Sequence, residues 1–224
     1  MASSSKQTIP FRFLGEDMNK IFIDCGANRG QSIELFLKHW DDAADFNIYS
    51  FECSTSKKLQ TAIQNVIKEN ISKCKSIEYI NKAVWIKNEQ RIFYDEGNES
   101  SSLLIEKTRH NPVLVECIDL SQWIKKTFNP DDFIVLKMDI EGAEYEIFNK
   151  LMEDDTLSYI NKLYGELHSR KCGKNIEDDI KLVTEIEKHG LKMCFWDAST
   201  NVKIDSNFYT RESLEATYKR KGWF

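Results

Sequence analysis

Several polar side chains stand where short apolar runs end, and they carry the chemistry that this sequence could perform. They are Asp24, Glu52, Asn81, Asp139, Glu166 and His168. A carboxylate can accept hydrogen bonds from ribose hydroxyls, an imidazole can serve as a general base, and carboxylates joined by an imidazole can hold a divalent cation. Because these runs alternate with helical segments, we expect the side chains to gather at one edge of a sheet.

The turn after Asp24 is the most informative of these positions. An apolar strand at 21–25 leads into it, and helical spacing begins near Gln31. Gly26 permits a close backbone approach, and the start of a helix offers unpaired N–H groups to a carboxylate or a phosphate. The Gly-x-Gly-x-x-Gly dinucleotide pattern is missing, since Asn28 stands where its second glycine belongs, and no P-loop lysine follows. At the end of the next strand, Glu52 suits ribose hydroxyls and would repel a 2′-phosphate.

A second candidate cluster follows from the alternation of side chains along strands. Lys137 and Asp139 share one face of the apolar run 133–139, and Glu166 and His168 share one face of the run 162–168. If these strands are neighbours, Asp139, Glu166 and His168 converge at the carboxyl edge of the sheet. Two chemistries remain open there. His168 could be a general base that an acid orients, or the three residues could ligate Mg²⁺ or Mn²⁺.

Lys137 needs its own explanation because it lies within a strongly apolar strand. A lysine in such a place must be ion-paired or catalytic. Glu141, Glu144 or another acid is the expected partner. Both glutamates fall in the first turn of a predicted helix, where the helix dipole stabilises acids. Glu141 is nearer the strand end and could also reach a substrate.

The elements that must position these residues alternate between strand and helix. Strands are predicted at 21–25, 48–52, 77–80, 133–139, 162–168 and 191–196, and helices at 32–40, 56–69, 119–128, 143–152 and 176–189. The run 83–94 is expected to be extended, and 202–208 is expected to complete the sheet as an antiparallel hairpin. This alternation predicts one α/β domain over 16–224 with a mostly parallel sheet, after a flexible leader at 1–15.

Composition excludes several classes of protein. With 41% hydrophobic residues the chain is too apolar for disorder, and a net charge of −5 argues against a nucleic-acid surface. The six cysteines are scattered without a Cys-x-x-Cys pair, which predicts free thiols in a reducing compartment. No apolar run is long enough to span a membrane, and the start lacks the apolar region of a signal peptide, so we expect a cytoplasmic protein.

Two motifs resemble those of a known family. The turn Ile23-Asp24-Cys25-Gly26-Ala27-Asn28-x-Gly30 resembles the nucleotide-binding turn of the FkbM methyltransferases. The run Leu136-Lys137-Met138-Asp139-Ile140-Glu141-Gly142-Ala143-Glu144 is similar to the most distinctive motif of that family, and Val115-Glu116-Cys117-Ile118-Asp119-Leu120 resembles the run that leads into it. The likeness covers about 21–197. Cys25 departs from the family, which more often has an aliphatic residue there, but a small buried thiol packs like one.

The resemblance implies a class I methyltransferase fold, which is a Rossmann-like, mostly parallel seven-stranded sheet with helices on both faces and a C-terminal antiparallel hairpin. It also implies an enzyme that uses S-adenosylmethionine to methylate a hydroxyl, with a carbohydrate or glycoconjugate as the leading acceptor. Acceptors of other kinds (a polyketide, a lipid or an RNA ribose) are the alternatives, as is a non-catalytic module that binds the cofactor. Nothing in the sequence specifies the acceptor or the oligomeric state.

The resemblance also assigns expected site residues. The S-adenosylmethionine contacts are expected to be Asp24, Gly26, Ala27, Asn28, Gly30, Gln31, Ser32, Glu52, Cys53, Ser54, Asn81, Ala83, Val84, Ser102 and Asp139. The catalytic candidates are His168, Asp139, Lys137 and Glu141, and the candidate ligands of Mg²⁺ or Mn²⁺ are Asp139, Glu166 and His168. Trp196, at the end of a C-terminal strand, could support a sugar ring.

Overall fold

The computed structural model describes residues 18–95, 101–104, 112–196 and 208–223, in which strands and helices alternate. The strands are β1 (Lys20–Cys25), β2 (Phe46–Phe51), β3 (Ser76–Ile80), β4 (Ala83–Trp85), β5 (Gln90–Tyr94), β6 (Pro112–Asp119), β7 (Phe133–Met138), β8 (Ile160–Gly165) and β9 (Met193–Phe195). The helices are α1 (Gln31–His39), α2 (Lys57–Asn70), α3 (Leu120–Thr127), α4 (Glu144–Glu153), α5 (Ile176–Lys188) and α6 (Arg211–Arg220). The predicted leader at 1–15 lies outside the described residues.

The main sheet confirms the predicted α/β class. Its six strands are parallel and run in the order β3-β2-β1-β7-β8-β9. The described main sheet has six strands where seven were predicted; the expected hairpin strand at 202–208 lies outside the described residues except for Phe208, which forms an isolated antiparallel bridge with Cys194. The strand order reverses between β1 and β7, and such a reversal opens a crevice at the carboxyl ends of the strands.

The register places the ends of the central strands at one level. Cys25 pairs with Phe51 of β2 on one side and with Met138 of β7 on the other, and Met138 in turn pairs with Gly165 of β8. The residues that follow these four strands therefore share one edge of the sheet. This is the edge where the sequence predicted the polar side chains to meet.

A smaller sheet stands beside this edge. Its order is β4-β6-β5, with β4 parallel and β5 antiparallel to β6, which confirms that 83–94 is extended. Tyr94 continues the antiparallel pairing to Ser102, and so the loop 101–104 is brought against the main sheet. There the Ser102 hydroxyl donates to the carbonyl of Glu141.

Apolar cores fill both faces of the main sheet, as expected for central parallel strands. On one face Ile23 and Leu136 pack with residues of α3, α4 and α5, and on the other Phe22 and Val135 pack with residues of α1 and α2. Trp196 belongs to the second core: it is only 3% exposed and stacks on Phe22. The expectation that Trp196 supports a sugar ring was therefore wrong.

Two further sequence predictions concern the chain as a whole. None of the six cysteines is joined in a disulfide, which agrees with the predicted thiols. Across the described ranges, each helix is too short or too polar to cross a lipid bilayer.

Candidate functional site

A cleft of about 660 Å³ opens at the carboxyl ends of β1, β2, β7 and β8. Most of the predicted site residues line it: Gly26, Ala27, Asn28, Gln31, Ser32, Glu52, Cys53, Ala83, Val84, Lys137, Asp139, Glu141, Glu166 and His168. Five predicted residues are not among its lining residues: Asp24, Gly30, Ser54, Asn81 and Ser102. The cleft thus joins the first turn to the cluster that follows β7 and β8.

The first turn is shaped by close packing of backbone on backbone. Gly26 has φ +84°, and a Cβ at this position would collide with the backbone carbonyl of Asp139. Only glycine fits there, and its approach locks the turn to the end of β7. Gly30 has φ +91° and is tight against Val66 of α2, since a Cβ would lie 2.9 Å from Val66 Cγ1. Gly30 therefore serves to pack the turn against α2, and it is not among the residues that line the cleft.

Asp24 and Lys137 form a buried ion pair beneath this turn. Lys137 Nζ lies 3.1 Å from Asp24 Oδ1 and 3.6 Å from Asp139 Oδ2, and it donates to the carbonyl of Gly26 at 2.8 Å. Ser32 donates its hydroxyl to the other oxygen of Asp24. Burial alone would lower the pKa of Lys137, but the two aspartates raise it above the ordinary lysine value. The lysine is paired, as one sequence hypothesis required, and its main partner is Asp24 rather than Glu141 or Glu144.

Glu52 closes the turn from the side of β2. Its carboxylate accepts the backbone N–H groups of Asn28 at 3.0 Å and Ser54 at 2.8 Å. Burial raises the pKa of Glu52, and these two hydrogen bonds oppose that rise. Each carboxylate oxygen keeps a second lone pair for a ligand in the cleft. Ser54 thus supports the turn from outside the cleft lining by fixing Glu52.

Asn81 and Ser102, the other predicted contacts outside the lining, also have structural tasks. Asn81 donates its side-chain amide to the carbonyl of Glu52 at 2.9 Å and to the hydroxyl of Tyr79 at 2.7 Å. Ser102 bonds to the Glu141 backbone. Ser101 and Lys82, their neighbours in the chain, line the cleft instead. In each of these two segments the residue that lines the cleft is therefore the neighbour of the predicted one.

His168 lies just beyond β8 and faces three acids. Its Nδ1 is 2.8 Å from Glu144 Oε1, and its Nε2 is 3.9 Å from Asp139 Oδ1 and 3.6 Å from Glu141 Oε1. Burial lowers the pKa of His168, but the hydrogen bond and charge of Glu144, with the neighbouring acids, outweigh it and bring the pKa to about 9. With Nδ1–H donated to Glu144, the imidazolium directs its Nε2–H at the other two carboxylates, and loss of that proton frees the Nε2 lone pair for a cation or an acceptor hydroxyl among them.

Glu144 lies at the centre of this group, although the sequence argument explained it only by the helix dipole or as a partner of Lys137. Its side chain is fully buried, and its two oxygens accept the backbone N–H groups of Ile140 at 3.0 Å and Gly142 at 2.9 Å. One of them also binds His168. The glutamate therefore fixes both the turn after β7 and the orientation of the imidazole. Two features could have indicated this role of Glu144: it follows Ile140 by four residues, and it lies in a helix, α4, that is largely buried.

The group of residues that could hold a metal ion differs from the predicted one. Asp139, Glu141 and His168 each offer one ligand atom, and these atoms lie within 4.8 Å of one another. The predicted Glu166 is outside this group, and its Oε1 lies 4.0 Å from Lys221 Nζ. The prediction assumed that side chains alternate to His168, but β8 ends at Gly165. Glu141 takes its place from a left-handed backbone conformation, with φ +62°, and pairs with Lys171.

Comparison with known proteins places the chain in a family. A family profile described as the methyltransferase FkbM domain matches residues 24–193, which is more than half of the chain. The crystal structure of a methyltransferase FkbM from Methylobacillus flagellatus KT is similar with a TM-score of 0.41 and 15% sequence identity. The alignment covers 91% of this chain and 36% of that one, so the chain spans about a third of that protein's length. No curated protein matches by sequence.

Proposed function

Because the chain belongs to the methyltransferase FkbM family, we propose that it transfers the methyl group of S-adenosylmethionine to a hydroxyl oxygen of a carbohydrate or glycoconjugate. The observation that carries this proposal is that the first turn and Glu52 line the same cleft as Asp139, Glu141 and His168. One part of such a cleft suits a nucleoside, and the other offers groups that activate a hydroxyl.

The residues present fit S-adenosylmethionine. Asn28 lines the cleft, and its buried side-chain oxygen has no hydrogen-bond partner among the described residues, which leaves an unpaired acceptor that the ammonium group of the cofactor would satisfy. Glu52 would hold the ribose hydroxyls with its remaining lone pairs. Ala83 and Val84 offer apolar surface for the adenine. When bound there, the sulfonium supplies an electrophilic methyl group to the cleft.

The roles of the acids and the imidazole follow from what an acceptor hydroxyl needs. An in-line displacement requires the hydroxyl to be held within about 3 Å of the methyl carbon, and free alcohols are poor nucleophiles near neutral pH. Two carboxylates and an imidazole within 4.8 Å fit a divalent cation such as Mg²⁺ or Mn²⁺, which would lower the pKa of a bound hydroxyl. We assign this role to Asp139, Glu141 and His168, with Glu144 orienting His168. The competing role, His168 as a metal-free general base, is an outcome of the test below.

The test is isothermal titration calorimetry with S-adenosylhomocysteine, in EDTA and in Mg²⁺ or Mn²⁺. We expect micromolar binding. We expect Glu52→Gln to weaken it at least about tenfold, because an amide nitrogen would face the N–H of Asn28 or Ser54. Glu69→Gln, an exposed glutamate of α2, is the matched control. Absence of binding under every condition would contradict the cofactor assignment.

The metal assignment is tested in the same instrument. Titration of Mn²⁺ into the metal-free protein should give a one-to-one site that His168→Ala loses and His189→Ala keeps, since His189 is exposed. If neither cation binds, the metal role is wrong. His168 then remains the general-base candidate, and turnover that withstands EDTA would support it.

A further inference from the structure

Basic and aromatic side chains form one wall of the cleft, and the proposed chemistry does not use them. They are Arg170, Lys171, Lys221 and Trp223, which we call the basic wall. The first two lie in a short 3-10 helix, Ser169–Cys172, directly after His168. The other two lie in the segment that follows α6. Two parts of the chain that are remote in sequence thus place positive charge in the same cleft as the acids that face the acceptor.

The cations of the basic wall gather around one indole ring. The Arg170 guanidinium carbon lies 4.9 Å from the centroid of the Trp223 ring, and Lys221 Nζ lies 4.5 Å from it. Cation–π attraction holds each of them there. Two like charges at one ring repel each other, and this repulsion favours a counter-charge in the space beside them.

Acids among the described residues lie near two of these cations: Lys171 pairs with Glu141, and Glu166 Oε1 lies 4.0 Å from Lys221 Nζ. For Arg170, whose side chain is exposed, no acid among the described residues forms an ion pair. A guanidinium that lines a cleft with its planar donors uncommitted to a carboxylate matches the bidentate geometry of carboxylates and phosphates.

Buried hydrogen bonds hold the basic wall in place. The Tyr218 hydroxyl donates to Asp179 Oδ2 at 2.7 Å, and Ser169 binds the same oxygen at 3.0 Å and also contacts Tyr218. Trp223 donates its backbone N–H to the Tyr218 carbonyl at 2.9 Å, and its ring meets the Tyr218 ring edge-on at 5.3 Å. The loop after His168 and the segment after α6 are therefore tied to one buried carboxylate, so the wall is a built part of the cleft.

We propose that the acceptor carries an anionic group, a carboxylate or a phosphate, that Arg170 and Lys221 bind beside the Trp223 ring; this inference rests on the proposed methyltransferase function and narrows its substrate class. In the sheet order, β8 is on the opposite side of β1 and β7 from β2. The anionic group therefore binds away from Glu52, and the hydroxyl to be methylated lies between it and the first turn.

The test follows the indole N–H signals of ¹⁵N-labelled protein saturated with S-adenosylhomocysteine. The Trp223 signal is assigned with Trp223→Phe. Glucuronate, glucose 1-phosphate and neutral glucose are the probes, and they separate a carboxylate acceptor from a phosphorylated one. We expect one anionic sugar to shift the Trp223 signal saturably and glucose to leave it in place. The double variant R170Q/K221Q should bind that anion at least about tenfold more weakly, as expected for loss of charge-assisted hydrogen bonds.

A matched control separates this site from a general effect of charge. K219Q/R220Q removes two positive charges from the exposed end of α6, outside the cleft lining, and should leave the affinity for the anion within about twofold. Affinity lost equally in both double variants, or no shift of Trp223 with either anion, would overturn the inference. Binding of S-adenosylhomocysteine is measured on every variant. If the unmodified protein fails to bind it, the proposed function fails; if all variants bind it, only the anionic acceptor is in question.

Discussion

Replacing Lys137 with methionine tests whether the ion pair beneath the first turn holds that turn in place. Methionine keeps most of the length and the apolar stem of the lysine, but it leaves the fully buried Asp24 carboxyl group without an ammonium beside it and with the Ser32 hydroxyl as a remaining partner. Breaking a buried ion pair from one side costs about 3 to 5 kcal/mol of unfolding free energy. A second effect is local, because the Lys137 ammonium also donates to the carbonyl of Gly26 at 2.8 Å.

The assay is urea unfolding followed by circular dichroism. With a slope of about 2 to 3 kcal/mol per molar urea, the expected loss lowers the midpoint by about 1 to 2.5 M. The double variant D24N/K137M removes both charges and should recover at least about half of the loss, since a buried pair is worth little against a neutral replacement. K162M, an exposed lysine of β8, is the control and should stay within about 0.5 kcal/mol.

Two results would refute this reasoning. One is a K137M midpoint that matches the K162M control, because the buried pair would then contribute nothing. The other is a double variant that is as unstable as the sum of the two single variants, because the charges would then act independently. Binding of S-adenosylhomocysteine provides a separate readout, and we expect K137M to weaken it while K162M does not.

Further predictions concern a glycine and a buried acid. Gly26→Ala should lower the melting temperature by about 4 to 8 °C, a loss of at least about 2 kcal/mol, because φ is +84° and the added Cβ meets the Asp139 carbonyl. Gly190→Ala shares φ +84° but finds open space, so an equal loss there would show that the collision is unimportant. Burial raises the pKa of Asp179, against hydrogen bonds from Tyr145, Tyr218 and Ser169. The contribution of Asp179 to the unfolding free energy is therefore complete below its unfolded-state pKa of about 3.9, and it declines as the pH rises through the higher pKa of the folded state. As the pH is raised from about 4 to 7, the urea midpoint of Asp179→Asn should therefore rise relative to that of the unmodified protein. A difference between the two midpoints that stays constant with pH would contradict this.

The central sheet could be predicted because its strands are marked in the sequence by burial on both faces. β7 is almost continuously apolar, and every helix from α1 to α5 presents an apolar stripe to one of two cores. α6 was missed because its buried residues are only Leu214 and Tyr218, too few to give a periodic signal. Its start is instead marked by a capping box between Thr210 and Ser213, which is a weaker signal.

The candidate site could be predicted where it follows directly from strand ends, and less well where loops decide it. Glu52 and Asp139 come one residue after β2 and β7, so the sequence placed them at the cleft. His168 lies three residues beyond β8, where strand alternation no longer applies, and so Glu166 was chosen in place of Glu141. The basic wall depends on contacts between residues about 50 positions apart, and no local pattern indicates such a contact.

The strand order reverses between β1 and β7. The residues proposed to bind the methyl donor and those proposed to bind the acceptor therefore lie on different elements, and the two sets can change in evolution at different rates. The first turn and Glu52 depend on β1, β2 and the packing of Gly26 on the backbone after β7, which few substitutions can alter without loss of the fold. The loop after β8 and the segment after α6 contribute mainly exposed or half-exposed side chains. Under the proposed function, recombination or directed evolution confined to 169–172 and 208–223 can redirect acceptor choice while the residues assigned to the methyl donor stay unchanged.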